Sequence, residues 1–116
     1  MSELTYYSYA DGSGNTYVIT QDRLEYIPIK PKESSSFQYS GGNPASTTLS
    51  ESEFDGLVQL FEKFLQQTDV HTETRVMMSA LIVRHAGSDQ RQAILRPGCR
   101  EILIIETEFN KLLTRR

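Results

Sequence analysis

The first half of the fold is determined by residues 5–27, TYYSYADGSGNTYVITQDRLEYI. Aromatic and β-branched residues, which favour strands, fill three short runs: Thr5–Ala10, Thr16–Thr20 and Arg23–Ile27. The runs are separated by residues 11–15, DGSGN, and by Gln21-Asp22, both typical of tight turns. Because such short connections join neighbouring strands, the stretch predicts a three-stranded meander, which Pro28 ends because proline has no amide hydrogen to donate.

A helix is predicted to begin after Ser50. Ser50 and Glu53 have the spacing of a capping box, in which the serine oxygen accepts a helix amide and the glutamate reaches back to the cap. The residues that follow place one apolar stripe toward the core: Phe54, Leu57, Val58, Phe61, Phe64 and Leu65. Gly56 inside this helix costs about 1 kcal/mol relative to alanine, which is tolerable if a strand passes close by. The helix is expected to end near Thr68 and Asp69.

The longest strand candidate is residues 75–85, which are apolar on both faces. Its second face carries Met77, Leu81 and Val83, and a strand of this kind is either central in a covered sheet or covered by another subunit. Residues 86–89 are predicted to turn the chain into a pairing strand over 90–95. A final helix is predicted from about Arg100 to Leu113, where apolar residues again recur at helical spacing.

The order of elements is therefore β-β-β-α-β-β-α, a single α+β domain over residues 1–116. We expect one mainly antiparallel sheet with both helices packed on one face. Residues 30–48 lack periodicity and predict a long Ser/Gly-rich loop, although Phe37 and Tyr39 are also compatible with a short added strand. Loops longer than about 12–15 residues are uncommon in compact domains and are often functional.

Composition narrows the class of protein. With 38% hydrophobic and 23% charged residues, the chain is too apolar for disorder and too polar for a membrane protein. Neither a secretory signal nor a membrane-spanning run is recognisable, and a single cysteine, Cys99, makes no internal disulfide, so we expect a soluble, cytoplasmic protein. The sequence pI is near 5.3. We therefore do not expect nucleic-acid binding, since neutralising phosphates requires a basic surface.

Charge is divided along the sequence. Residues 1–74 carry eleven acids and four bases, a charge of −7, whereas residues 75–116 carry eight bases and four acids, a charge of +4, which gives the total of −3. Two explanations remain open for the arginines after position 74. They can pair with acids of the first half such as Glu51, Asp55 or Glu62, or they can bind an anionic ligand or acidic peptide. The residues of the second interpretation are Ser40, Gly41, Gly42, Arg75, Arg84 and Arg91.

The apolar second face of residues 75–85 predicts a contact surface. Exposed apolar patches mark interaction sites, and twofold dimers are the commonest assembly, so Met77, Leu81 and Val83 are expected to bind a second copy or another protein. The alternative is that the 30–48 loop covers this face within one chain.

No catalytic signature is present, whether of phosphate-binding loops, zinc proteases or serine hydrolases. His71, His85 and Cys99 are the residues on which a small enzyme would depend, but no catalytic residue, metal site or cofactor is assigned. The first hypothesis is therefore a non-enzymatic protein-interaction or self-associating module, followed by an anion or acidic-peptide binder and then by a small enzyme.

Overall fold

The computed structural model describes residues 5–29 and 42–114. The elements in chain order are β1 (Thr5–Ala10), β2 (Thr16–Thr20), β3 (Arg23–Ile27), β4 (Ala45–Thr48), α1 (Glu51–Gln66), β5 (His71–Thr72), β6 (Ala80–Ala86), β7 (Asp89–Leu95) and α2 (Arg100–Thr114). They form one antiparallel sheet of order β4-β3-β2-β1-β6-β7-β5 with two helices. The predicted α+β class, antiparallel sheet and order of elements are confirmed, with two short strands added.

The first turn explains why the meander forms. The carboxylate of Asp11 accepts the backbone amides of Ser13 and Asn15 and the side-chain amide of Asn15 at 2.9–3.0 Å. Gly14 has a φ of 92°, a conformation that glycine adopts without steric cost. Asn15 is buried, and its side-chain oxygen accepts the amide of Ile29 at 2.9 Å. This one turn therefore fixes β1, β2 and the residues after β3 to each other.

The start of α1 is confirmed in detail. Ser50 Oγ accepts the amide of Glu53 at 3.2 Å, and Glu53 Oε1 accepts the amide of Ser50 at 2.8 Å. The helix ends at Gln66, slightly before the predicted position, and a single 3-10 turn (Thr68–Val70) leads to β5. Among the described residues, no atom outside the helix's own backbone lies within 4 Å of a Cβ built on Gly56, so no described strand passes close to this glycine.

The core lies between the sheet and both helices, which cover the same face. Phe61 of α1 stacks on Tyr7 with ring centroids 5.5 Å apart, and Phe109 of α2 contacts the rings of Tyr9 and Tyr17. The buried residues of the sheet complete this layer: Ile19, Leu24, Ala80, Ile82, Ala93 and Leu95. No helix among the described residues is long and apolar enough to cross a membrane.

The strand predicted over residues 75–85 is wrong in its first half, because β6 begins at Ala80. Topology gives the reason. β5 pairs with the outer side of β7, and β6 pairs with its inner side. The residues between β5 and β6 must therefore cross from one side of β7 to the other, so they cannot extend β6. The hairpin into β7 agrees with the prediction, and Gly87, with a φ of 61°, takes the first central position of its two-residue turn.

The long loop predicted over residues 30–48 ends earlier than expected. Its last four residues form β4, which pairs with β3 in the register Leu24 with Thr47 and Glu25 with Ser46. The serine- and threonine-rich sequence of β4 has no alternation of apolar and polar residues, which is why no strand was predicted. Phe37 and Tyr39, the candidates for an added strand, lie outside the described residues.

Candidate interaction surface

The sheet surface opposite the helices is not covered by any described element, and we call it the open face. Side chains alternate along a strand, so the neighbours of the core residues point to this face. It comprises Tyr6, Ser8 and Ala10 (β1); Thr16, Val18 and Thr20 (β2); Arg23, Glu25 and Ile27 (β3); Ser46 and Thr48 (β4); Thr72 (β5); Leu81, Val83 and His85 (β6); and Gln90, Gln92 and Ile94 (β7). Only Arg23 and Glu25 are charged, and their side chains form an ion pair of 3.1 Å.

Apolar side chains concentrate at one end of the open face. The strand register places Ile94, Leu81, Ala10, Thr16 and Ile27 in one row across five neighbouring strands. This row lies at the end of the sheet where β1 enters its turn and where β6 begins. Ile27 is about half exposed, and Leu81 and Ile94 are partly exposed.

The loop before β6 adds three exposed apolar side chains at the same end of the sheet. The exposed fractions are 49% for Val76, 87% for Met77 and 57% for Met78. Together with the apolar members of the row, they form a surface that we call the apolar end: Ile27, Val76, Met77, Met78, Leu81 and Ile94. Exposed apolar side chains grouped at one end of a sheet are typical of interaction sites.

The backbone of this loop is a tight turn in an unusual conformation. The amide of Ser79 donates to the carbonyl of Val76 at 3.0 Å, which closes a four-residue turn with Met77 and Met78 at its centre. Met78 has a φ of 68° and is the one non-glycine residue with positive φ in the described part of the chain. Positive φ at the third residue is characteristic of a type II turn, where glycine or asparagine is normally found.

Hydrogen bonds and close packing hold the turn in place. The buried hydroxyl of Ser79 donates to the carbonyl of Val76 at 2.6 Å and accepts its amide at 3.1 Å. The guanidinium of Arg75 donates to the carbonyl oxygens of Ser79 and Asp11, so the loop is tied to the first turn of the sheet. A Cβ built on Gly12 would lie 2.8 Å from the Cα of Met78, which shows how closely the two backbones approach.

The three residues predicted to bind a partner do not share one strand face. Leu81 and Val83 are on the open face, but Val83 is only 6% exposed, and Met77 lies in the loop. Met77 and Leu81 belong to the apolar end, and whether they bind a partner remains a prediction. Ile27 and Ile94 are not predictable as members of this surface from the sequence, because only the strand register shows that they align with Leu81.

At the opposite end of the open face, His85 stacks on Tyr6 with ring centroids 4.3 Å apart. Its Nε2 is 3.2 Å from Ser8 Oγ, and no described carboxylate makes a hydrogen bond or ion pair with the ring. A serine and histidine in contact resemble the start of a nucleophilic site, but catalysis also requires an oriented base and donors for an oxyanion.

His71 Nε2 contacts the carbonyl oxygen of Phe64 at 2.7 Å, so it links α1 to β5. Cys99 is partly buried before α2.

Arg84 lies on the helix side of the sheet and pairs with an acid from residues 1–74. Such pairing is the first of the two explanations given above for the arginines after position 74. Its Nη1 is 3.2 Å from Glu62 Oε1, and the hydroxyl of Tyr7 donates to the same carboxylate at 2.7 Å. Burial raises the pKa of Tyr7, and its hydrogen bond to Glu62 raises that pKa further. Tyr7 is therefore a neutral hydrogen-bond donor between α1 and the sheet.

A second tyrosine and carboxylate link α2 to the sheet. The hydroxyl of Tyr9, which is fully buried, donates to Glu106 Oε2 at 2.6 Å. Burial raises the pKa of Glu106, although the hydrogen bond from Tyr9 opposes this shift. Burial and the same carboxylate raise the pKa of Tyr9. The pair is a structural contact within the core.

The residues predicted to bind an anion are not brought together. Gly42 precedes β4 at one side of the sheet, whereas Arg91 is on β7 near the other side, with four strands between them. Arg75 and Arg84 are engaged in the contacts described above, and Ser40 and Gly41 lie outside the described residues. Arg91 is exposed and makes no hydrogen bond or ion pair with another described residue.

Across the described ranges, 5–29 and 42–114, no three His, Cys, Asp or Glu side chains are grouped to bind a metal ion. No protein-family model, curated protein or solved structure matches this chain. The surfaces of the molecule are therefore the features that bear on its function, and the apolar end is the most distinctive of the described surfaces.

Proposed function

We propose that this chain is a non-enzymatic protein-interaction module and that the apolar end is its contact surface. The observation that carries this proposal is Met78, an apolar residue with a φ of 68° and with more than half of its side chain exposed. Left-handed backbone costs an L-residue roughly 1–2 kcal/mol, and glycine or asparagine would reduce that cost. Residues in such conformations cluster at functional sites, so the methionine is best explained by a role for its side chain in binding.

The distribution of charge on the open face supports the proposal. The open-face side chains of β1, β2, β5, β6 and β7 include no Asp, Glu, Lys or Arg. The solvated face of an antiparallel sheet is usually polar, and depletion of charged residues is characteristic of the centre of a protein interface. An apolar partner surface could therefore approach the apolar end without burying an unpaired charge.

Methionine also suits such a surface. Its side chain is unbranched, flexible and polarizable, and it adapts to partner surfaces of different shape. In this protein two adjacent methionines project from a turn whose backbone is held by Ser79 and Arg75. The fixed backbone reduces the entropy lost on binding, and the adaptable side chains fit the partner surface. The proposed partner is another protein with an apolar docking segment, and a second copy bound at the apolar end is an alternative outcome of the test.

The test uses site-specific photo-crosslinking in the cells that make the protein. A photoreactive amino acid replaces Met77, and a control chain carries it at Lys63, an exposed residue of α1. We expect a crosslinked protein from position 77 only, and we expect Leu81→Asp to abolish it. The identified protein is then titrated with purified chain, where apolar burial predicts a negative heat-capacity change.

Leu81 is partly buried, so Leu81→Asp also requires a folding control. Val76→Asp, at an exposed loop position, removes apolar surface without placing a charge in the sheet and should likewise abolish the crosslink. Equal crosslinking from positions 77 and 63, or crosslinking that survives both substitutions, would refute the apolar end as the contact surface. Crosslinking of the chain to itself would identify self-association as its role.

A further inference from the structure

Within the described residues, the outer edge of β7 is largely unpaired. β5 covers only Ile94 and Leu95, and no other described strand pairs with the outer side of β7. The stretch Asp89-Gln90-Arg91-Gln92 is exposed throughout. An exposed edge of this kind presents free backbone amides and carbonyls that another strand can pair with.

The hairpin between β6 and β7 shows which backbone groups are free. Ala86 and Asp89 flank a two-residue turn with glycine first, so these two residues exchange both backbone hydrogen bonds. Antiparallel pairs alternate between bonded and non-bonded, so Arg91 and Ala93 also direct their backbone groups toward β6. The amides and carbonyls of Gln90 and Gln92 therefore point outward, away from β6.

Charges along this edge are complementary to a second copy of the same edge. Asp89 and Arg91 are two residues apart and project on the same side of the sheet. The side chain of Asp89 is 75% exposed, at 3.7 Å from Arg84 Nη2, and Arg91 faces Arg84 directly across the ladder. Like charges placed opposite each other are unfavourable, so Arg91 would be stabilised by an acid on its outer side.

We propose that two copies of this chain pair antiparallel through β7, with the twofold axis at Gln90. In this register Gln90 faces Gln90 of the second copy as a hydrogen-bonded pair, and Asp89 of each copy faces Arg91 of the other. The two charged pairs are non-hydrogen-bonded pairs, in which side chains approach most closely. An acidic peptide would meet Asp89 and a basic peptide would meet Arg91, so a second copy satisfies both charges where a uniformly charged partner does not.

Neighbouring registers are disfavoured by the same residues. An axis at Asp89 would bring the two Asp89 side chains together, and an axis at Arg91 would bring the two arginines together. The axis at Arg91 would also place Ser88 of the second copy opposite Ile94, a position that Thr72 of β5 already occupies. β5 therefore limits how far the second strand can slide along β7.

Such a pairing joins the two sheets into one of fourteen strands, twice the seven of a single chain. The twofold axis is perpendicular to the sheet, so both open faces lie on the same side. This inference does not depend on the proposed function, but if both hold, each dimer presents two apolar ends to the same partner surface. The interface is short, so we expect a weak dimer from the lower range of interface sizes.

The first test is a charge exchange followed by light scattering over a series of protein concentrations. Arg91→Asp places acids opposite each other and Asp89→Arg places arginines opposite each other, so each should weaken the dimer about tenfold or more. The double variant Asp89→Arg with Arg91→Asp restores opposite charges and should return the dissociation constant to near the original value. Lys63→Asp is the control, because it makes the same charge change as Arg91→Asp at an exposed position of α1.

The second test is independent of charge. Gln90→Cys in a Cys99→Ser background should form an intermolecular disulfide under mild oxidation, because a hydrogen-bonded pair places its Cα atoms about 5.5 Å apart, within disulfide range. Gln21→Cys, on the exposed turn between β2 and β3, is the control and should not crosslink. A monomer at all concentrations, or no rescue by the double variant, would overturn the proposal. A dimer that is lost with Val76→Asp but not with Arg91→Asp would instead place self-association at the apolar end.

Discussion

Alanine and glycine are expected to rank in opposite order at two adjacent residues, Met77 and Met78. At Met78, with a φ of 68°, alanine bears the left-handed cost of roughly 1–2 kcal/mol, and glycine does not. Glycine also loses about 0.5–1 kcal/mol more backbone entropy on folding than alanine at any position. The difference favours Met78→Gly over Met78→Ala by about 0–1.5 kcal/mol, with a central value of about 0.75 kcal/mol. At Met77, which has no positive φ, Met77→Gly should lie about 0.5–1 kcal/mol below Met77→Ala.

The design removes the methionine side chain in all four variants, so its lost packing cancels within each pair. Urea unfolding measures the free energy of unfolding of each variant, and an unchanged slope shows that the comparison concerns stability alone. A glycine variant less stable than alanine at both positions would show that Met78 is not held in the left-handed conformation, and the argument from strain to binding would then fail. Partner binding should decrease in both Met78 variants, because each lacks the exposed side chain.

Three further results are expected. Gly12→Ala should destabilise the fold by about 1–3 kcal/mol, because its Cβ would lie 2.8 Å from the Cα of Met78, and thermal unfolding without loss would contradict this contact. Gly56→Ala should stabilise the protein by about 1 kcal/mol, since no described atom outside the helix backbone lies within 4 Å of the new Cβ. Thermal unfolding that shows no gain in stability would contradict this expectation. Burial raises the pKa of Glu106, so this carboxyl binds a proton more tightly in the folded state than in the unfolded state. The stability that the protonated carboxyl contributes is therefore lost as pH rises through the folded pKa. Relative to Glu106→Gln, the native chain should therefore become less stable as pH rises from about 4 toward neutrality, and a difference independent of pH would refute this effect of burial.

The elements that could be predicted from the sequence are those specified by short-range chemistry. The meander follows from three strand-forming runs and two turns, and α1 begins at a capping box that the structure reproduces with two hydrogen bonds. The two missed strands are specified by their partners instead. β5 has two residues, and β4 has a sequence with no apolar alternation, so neither carries a periodic signal of its own.

The candidate surface was only partly predictable for a related reason. Met77 lies in a loop and not on the predicted strand, Leu81 is partly exposed on the open face, and the burial of Val83 depends on neighbours contributed by adjacent strands. The turn at Met78 has no sequence signature, because a type II turn is normally recognised by glycine or asparagine at its third residue. Tertiary contacts from Ser79, Arg75 and Gly12 impose the conformation that the local sequence disfavours.

That mismatch between local preference and observed conformation bears on function. Sequences generally agree with their folds at every level, and exceptions concentrate at functional or strained sites. Two exceptions occur in opposite directions: Met78 is a methionine where glycine is favoured, and Gly56 is a glycine where alanine is favoured. The structure offers no reason for Gly56, whereas Met78 has one, since any replacement that relieves its backbone also removes apolar surface. If Met78→Gly lowers partner binding while Met78→Ala lowers it equally, the side chain and not the backbone strain is what the partner recognises. Loss of binding in the glycine variant alone would instead assign the role to the strained turn, because alanine keeps the left-handed cost and glycine does not.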